Sequence, residues 1–273
     1  NVAVCTIQRN RARWIQEWVA FHYVTGFRKF YIFLHKCTDD SEAVVARLKN
    51  YFDIEVFSVS DDIFRPQLAV YEYCYEKYGG AHDWIAFIDG DEFLFTPNGI
   101  NITNQLAAYQ NEKLSAVGVY WSCFGSSGHK IEPAGLITDN YRYRAPEDFE
   151  ANRHFKSIVR GRLGGGFKIL QNSHFFSTPD GTYDTSMRPL SHGCVEFMPV
   201  YGRLIINHYV TQSRDYFLSF KKNSGAADAG ANMVRSEEWW LKHDRNELWD
   251  NSLIHLRSEL ISTILASSTV FSE

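Results

Sequence analysis

Apolar runs and amphipathic stretches alternate from the first residues onward. Val2 to Ile7 is a short apolar run of the kind a buried strand carries. Polar Gln8-Arg9-Asn10-Arg11 follows, and Trp14, Ile15, Trp18 and Val19 then recur on one helical face up to Gly26. Phe30 to Leu34 reads as a second strand. After the loop HKCTDDS, Ser41 is placed to cap a helix running to Asn50, with Val44, Val45 and Leu48 turned inward. Ile54 to Val59 is a third strand. Pro66 suits the first turn of a helix that runs to Tyr78 and stops at Gly79-Gly80, and Trp84 to Ile88 is a fourth strand.

Strand followed by helix, three times over, predicts an α/β fold with a parallel sheet and helices on both faces. In such sheets ligands gather beyond the carboxyl ends of the strands. Four polar stretches fall there: Gln8-Arg9-Asn10, Cys37-Thr38-Asp39-Asp40, Ser60-Asp61-Asp62 and Asp89-Gly90-Asp91. After residue 100 the rhythm changes. LSAVGVYWSCFG, HFKSIVR, GFKILQN and GRLIINHYV are strand-like, and loops rich in Gly, Ser, Asp and Pro separate them. Gly164-Gly165-Gly166 reads as a hairpin tip, Ser213 as the cap of a helix through Lys222, and Leu253 to Leu265 as a closing helix. The whole of 1–273 is expected to form one domain, the second half adding strands to the same sheet.

With 273 residues, 45% hydrophobic and 15% aromatic, the chain can bury a sizeable core. A formal charge of -4 gives no reason to expect nucleic acid, and no apolar run approaches the roughly 18 residues that a membrane helix needs. The chain starts at Asn1 with a strand close behind, which reads as a domain excised from a longer protein. Five scattered cysteines lack any CxxC pair, so core thiols in a reducing, cytoplasmic compartment are the expectation, with a secretory lumen open to a longer chain.

The segment DWIAFIDGDEFLF sharpens the chemistry. Asp89, Asp91 and Glu92 end an apolar strand, and apolar residues resume at once. Like charges so close are either solvated at a turn or matched by a cation. Gly90 lets the backbone turn tightly beside a ligand. Alternate carboxylates suit a hard divalent ion that takes its remaining ligands from phosphate.

The chain resembles the GT-A-fold glycosyltransferases, near family 92 and related family 2-like enzymes. The resemblance is carried, in order, by QRNRARWIQEWVAFHYVTGF with CTDDS, by RPQLAVYEYCYEKYGGAHDWIAFIDGDEFLF, by WSCFGSSGH, by FKSIV and by INHYVTQSRDYFLSFKKNSG. Two departures stand out. Arg9-Asn10-Arg11 replaces a usual Lys-Asn-Glu, and Ser224-Gly225 replaces a commoner Arg-Gly. The resemblance implies a mixed, largely parallel Rossmann-like sheet, with residues 1–100 binding a nucleotide-sugar, 101–250 the acceptor, and 251–273 closing the fold. It implies Mn²⁺ or Mg²⁺ held by Asp89, Asp91 and His208, with Asp91 the main ligand, Asp89 on the metal or ribose, and Glu92 a support. It also implies that Lys221 reaches the diphosphate, that the donor is a UDP-sugar, that the acceptor is a glycan hydroxyl, and that transfer inverts.

Thr6, Gln8, Asn10, Asp39 and Gln67, with Asp89 and Gly90, are the remaining donor-binding candidates, although Asn and Asp also serve loops by bonding their own backbones. Trp121, Ser126 and His129 combine an aromatic face with polar groups, as a sugar pocket requires. Inversion needs a general base near the acceptor hydroxyl. His174 and Asp180 are the leading candidates, with Asp184 and Asp244 behind them. The alternative from another class is a non-catalytic carbohydrate-binding domain on a degenerate GT-A fold.

Overall fold

The computed structural model describes residues 1–163, 168–169, 172–225, 227 and 234–268. Its first half follows the predicted rhythm: β1 (Val2–Gln8), α1 (Ile15–Thr25), β2 (Lys29–His35), α2 (Ser41–Leu48), β3 (Ile54–Val59), α3 (Pro66–Tyr78), β4 (Trp84–Phe87). Gly26 ends α1 at a φ of 120°, a conformation that disfavours any side chain. Ser41 does not cap α2. The Asp39 carboxylate lies two residues earlier and takes both the amide and the hydroxyl of Ser41, a stronger acceptor than the hydroxyl itself.

The second half supplies β5 (Glu92–Phe95), α4 (Ile102–Ala107), β6 (Ala116–Cys123), α5 (Ile137–Asn140), β7 (Tyr143–Arg144), β8 (Phe155–Arg160), β9 (Lys168–Ile169), β10 (Phe176–Ser177), β11 (Thr182–Asp184), β12 (Pro189–Leu190) and β13 (Ile205–His208). Then come α6 (Arg214–Tyr216), which continues as a π-helical turn over Phe217–Lys221, α7 (Glu237–His243), β14 (Leu248–Trp249) and α8 (Arg257–Ala266). Ser213 caps α6 as expected. The closing helix starts at Arg257, because turns occupy the preceding residues. The glycine run 164–166 lies outside the described residues.

Among the described residues, one ten-stranded sheet has the order β12-β11-β6-β8-β4-β1-β2-β3, with β13 joining β6 to β5. β1 to β4 are mutually parallel, and β8 is inserted antiparallel between β4 and β6. This is the mixed, largely parallel, helix-flanked sheet predicted from the sequence. Period-two alternation along β1 explains its two cores. Val2 and Val4 pack with Trp18 and Val45 on one face, and Ala3, Cys5 and Ile7 pack with Val70 and Cys74 on the other. The chain runs outward from β1 to β3 and then returns to place β4 on β1's other side. The strand order therefore reverses between β1 and β4, where a crevice opens. No helix among the described residues is long and apolar enough to cross a membrane.

Candidate functional site

A cleft of about 830 Å³ opens at this reversal. All four polar stretches singled out in the sequence contribute to its lining, through Gln8 to Arg11, Thr38, Asp61 to Arg65, and Asp89 to Asp91. Arg9, Arg11, Lys36, Arg65, Lys221 and Arg235 face Asp61, Asp62, Asp89 and Asp91. The lining is thus more cationic than acidic in a chain of net charge -4, an arrangement suited to a polyanionic ligand.

The acidic turn at the floor is pinned from several sides. The Glu92 carboxylate is fully buried and accepts the Asp89 amide at 2.8 Å, while the Trp18 indole donates to the Asp89 and Glu92 carbonyls. Burial and the neighbouring aspartates push the Glu92 carboxyl up, against the pull of Lys156. Gly90 has no left-handed backbone. Its reason is close approach: a Cβ there would sit 2.8 Å from Cδ of Gln8.

Pairing of β13 with β5 sets His208 opposite Glu92, and so beside Asp91. The His208 Nε2 to Asp91 Oδ1 distance is 3.7 Å, beyond a hydrogen bond. Two ligands each about 2.1 Å from one ion can stand up to about 4.2 Å apart, so this spacing admits a shared cation. Nδ1 of His208 is buried without a partner. The Lys221 ammonium sits on the other Asp91 oxygen, a positive charge already at the place where one is needed. Burial would raise the Asp91 pKa, but Lys221, His208 and Arg11 hold it well below the ordinary range, so the carboxylate is ionised. Burial lowers the His208 pKa, leaving a neutral imidazole able to donate a lone pair.

Asp89 does not join this pair. One of its oxygens bonds the Lys156 ammonium at 2.9 Å, and the other takes Gln67 Nε2 and the Tyr71 hydroxyl. Three His, Cys, Asp or Glu side chains around one point occur nowhere among the described residues. The expected clamp of Asp89, Asp91 and His208 is therefore not assembled: Asp89 is turned to Lys156, and of the three only Asp91 and His208 face each other.

The donor candidates divide. Gln8, Asn10, Gln67, Asp89, Gly90 and Lys221 line the cleft. Both polar atoms of the buried Gln8 amide lack partners. Thr6 is buried within β1 and does not line the cleft. Asp39 spends its oxygens on Ser41 and on the Ala12 amide, the turn chemistry that Asp favours.

Trp121, Ser126 and His129, expected in a sugar pocket, do not line this cleft. Trp121 packs on His208 with ring centres 4.1 Å apart and stacks on His154, so it braces the imidazole from behind. Ser126 donates its amide to Asp244, and the His129 ring meets the Asn140 carbonyl. The His129 and Lys130 carbonyls accept the amides of Arg214 and Asp215, so this loop supports the segment that delivers Lys221.

Of the base candidates, only His174 reaches the cleft. Its Nδ1 meets the Phe155 carbonyl at 2.8 Å, which places the lone pair on Nε2. Burial, and then the Lys156 charge, keep the ring neutral. Asp180 is exposed and bonds Ser115 at the entry to β6, the opposite end of the sheet, because β11 runs parallel to β6. Asp184 is wholly buried and saturated by Tyr120, Ser186 and Arg188. Asp244 anchors the Ser126 loop.

Two residues were missed in the sequence. Lys156 signals itself as the one charge inside the strand-like FKSIV. Arg11, noted only as a departure, is 5% exposed and donates to the Gly90 carbonyl, Gln212 and the Tyr216 hydroxyl. It thereby ties the acidic turn to α6.

The model of Glycosyltransferase family 92 matches residues 1–193. A family 92 protein of Ricinus communis is 29% identical over 224 residues, 80% of this chain and 36% of that protein. One from Oryza sativa subsp. japonica is 28% identical, with 80% and 34% covered. One from Arabidopsis thaliana is 25% identical, with 93% and 45% covered. The chain thus spans less than half the length of these relatives. Among solved structures, S. aureus TarS in complex with UDP is 13% identical, with 60% of this chain and 47% of that chain covered at a TM-score of 0.38.

Proposed function

The chain belongs to glycosyltransferase family 92, and from that premise we propose that it transfers a sugar from a UDP-sugar to a glycan hydroxyl, with inversion and with Mn²⁺ or Mg²⁺. One observation carries the reading: an ionised Asp91, facing the His208 imidazole and the Lys221 ammonium, lies at the floor of a cationic cleft where the strand order reverses. Asp91 and His208 would hold the cation, which supplies neutralisation of the charge that grows on the departing diphosphate.

The chain's own residues do the rest. Lys221 and Arg11 place fixed positive charge along the diphosphate path, and Gln8 and Asn10 at the end of β1 offer polar groups to the nucleoside. The Nε2 lone pair of His174 is the base candidate. Residues 1–100 supply the nucleotide side, 101–250 the acceptor side, and 251–273 the closing segment.

Asp91→Ala is expected to abolish Mn²⁺-dependent turnover of UDP-sugar while leaving the melting temperature near that of the parent. Turnover retained in a folded variant rejects the assignment. The scaffold alternative predicts no binding of UDP, with or without Mn²⁺.

A further inference from the structure

We propose that Lys156 is a positioning residue that separates the duties of the two aspartates, holding Asp89 back inside the protein so that Asp91 alone meets the cation. The inference rests on the functional reading above and assigns a cause to the observed split.

The cause begins in strand register. β8 runs antiparallel to β4 with Ala86 opposite Ile158. Two residues further on, Lys156 falls level with Ile88, just before the acidic turn. Its side chain is 1% exposed, behind the cleft floor. Its ammonium lies 2.9 Å from Asp89 Oδ2, 3.4 Å from Ser173 Oγ and 3.9 Å from Glu92 Oε1. A buried ammonium stays charged only beside a fixed anion, and of the two carboxylates within ion-pair distance Asp89 is the nearer by about 1 Å and the only one at hydrogen-bonding range. The remaining Asp89 oxygen is taken by α3, through Gln67 and Tyr71. Asp89 is therefore held by a strand on one side and a helix on the other.

Asp91 is held differently. Its ion-pair partner, Lys221, comes from the helical segment at the cleft wall, and its other oxygen faces the His208 imidazole. One aspartate thus carries a counter-ion built into the sheet, and the other carries one that borders the ligand space. Removing the Lys156 charge leaves Asp89 without its counter-ion beside a cation site two residues along the chain. The freed carboxylate then adds to the attraction at Asp91, and a repelling positive charge is lost.

The test is calorimetric titration of Mn²⁺ into UDP-saturated protein, for the parent and for Lys156→Met, Lys156→Arg, Asp89→Asn and Asp91→Asn. Lys156→Met is expected to tighten Mn²⁺ binding about tenfold, and Lys156→Arg to restore parental affinity. Asp89→Asn should stay within about twofold of the parent, while Asp91→Asn loses binding. A merely structural lysine would instead weaken binding along with the fold. Folded Lys156→Met with unchanged or weaker affinity overturns the inference, as does an Asp89→Asn loss equal to that of Asp91→Asn. If Lys156→Met does not fold, Asp89→Asn decides alone. A parent protein that binds neither UDP nor Mn²⁺ refutes the functional reading first, and this inference with it.

Discussion

At the scale of single residues, the site is governed by what each carboxylate finds as a partner. Asp89 and Asp91 look equivalent in a string of letters, yet one is bonded to a buried lysine and the other faces an imidazole and the Lys221 ammonium. The Asp-x-Asp spacing was legible because strand-end carboxylates flanked by apolar residues demand an explanation. The split between them was not, since it depends on Lys156, 65 or more positions away in sequence and adjacent only through strand pairing. Gly90 yields a prediction at this scale. A methyl there would press on the Gln8 amide, so Gly90→Ala is expected to weaken UDP binding several-fold at an almost unchanged melting temperature. Calorimetry and thermal denaturation on the same sample check it.

At the scale of elements, the strands and helices of the first half could be read from periodicity because each is a local pattern that its neighbours reinforce. Errors came where a local competitor won, as at Ser41, or where a role depended on a distant partner, as for Asp180, whose entry turn to β11 is carried to the wrong end of the sheet by parallel pairing with β6. Arg11 is the main link between elements. It joins the end of β1 to the acidic turn and to α6, and stacks 4.5 Å from the Trp14 ring. Arg11→Met is expected to cost about 3 kcal/mol, since three charge-assisted bonds vanish from a buried position. It should also weaken UDP binding, because the Lys221 segment loses its tether. Chemical denaturation measures the first effect. A stability loss without any change in binding would show that the tether has no bearing on the site.

For the whole molecule, buried imidazoles set the response to acid. His22 donates Nδ1–H to the Trp18 carbonyl and accepts the Leu94 amide on Nε2, and burial lowers its pKa to about 3. His82, His154, His174 and His208 are lowered as well, each by burial first. A depressed histidine pKa means that the unfolded chain binds protons that the fold refuses. This contribution is complete above the ordinary value of about 6.5 and is lost as pH falls toward 3. For His22 alone the loss is on the order of 2 kcal/mol by pH 5. Glu17 acts in the other direction. Burial raises its pKa to about 7, so the stability it contributes is full near pH 4.5 and is lost as pH rises to 7. Glu17→Gln is therefore expected to steepen the fall in melting temperature between pH 7 and 5, and His22→Gln to flatten it. Parallel pH slopes in both variants and the parent would contradict these assignments.

The central claim is that Asp91, with His208 beside it, joins a divalent cation to a nucleoside diphosphate in the cleft between β1 and β4. Isothermal calorimetry of UDP, with Mn²⁺ and then with a chelator, on the parent and on Asp91→Asn, tests it most directly. The parent should bind UDP at least about tenfold more tightly with Mn²⁺, and Asp91→Asn should show no such gain. UDP affinity indifferent to Mn²⁺ in the parent, or an equal gain in Asp91→Asn, would contradict the account.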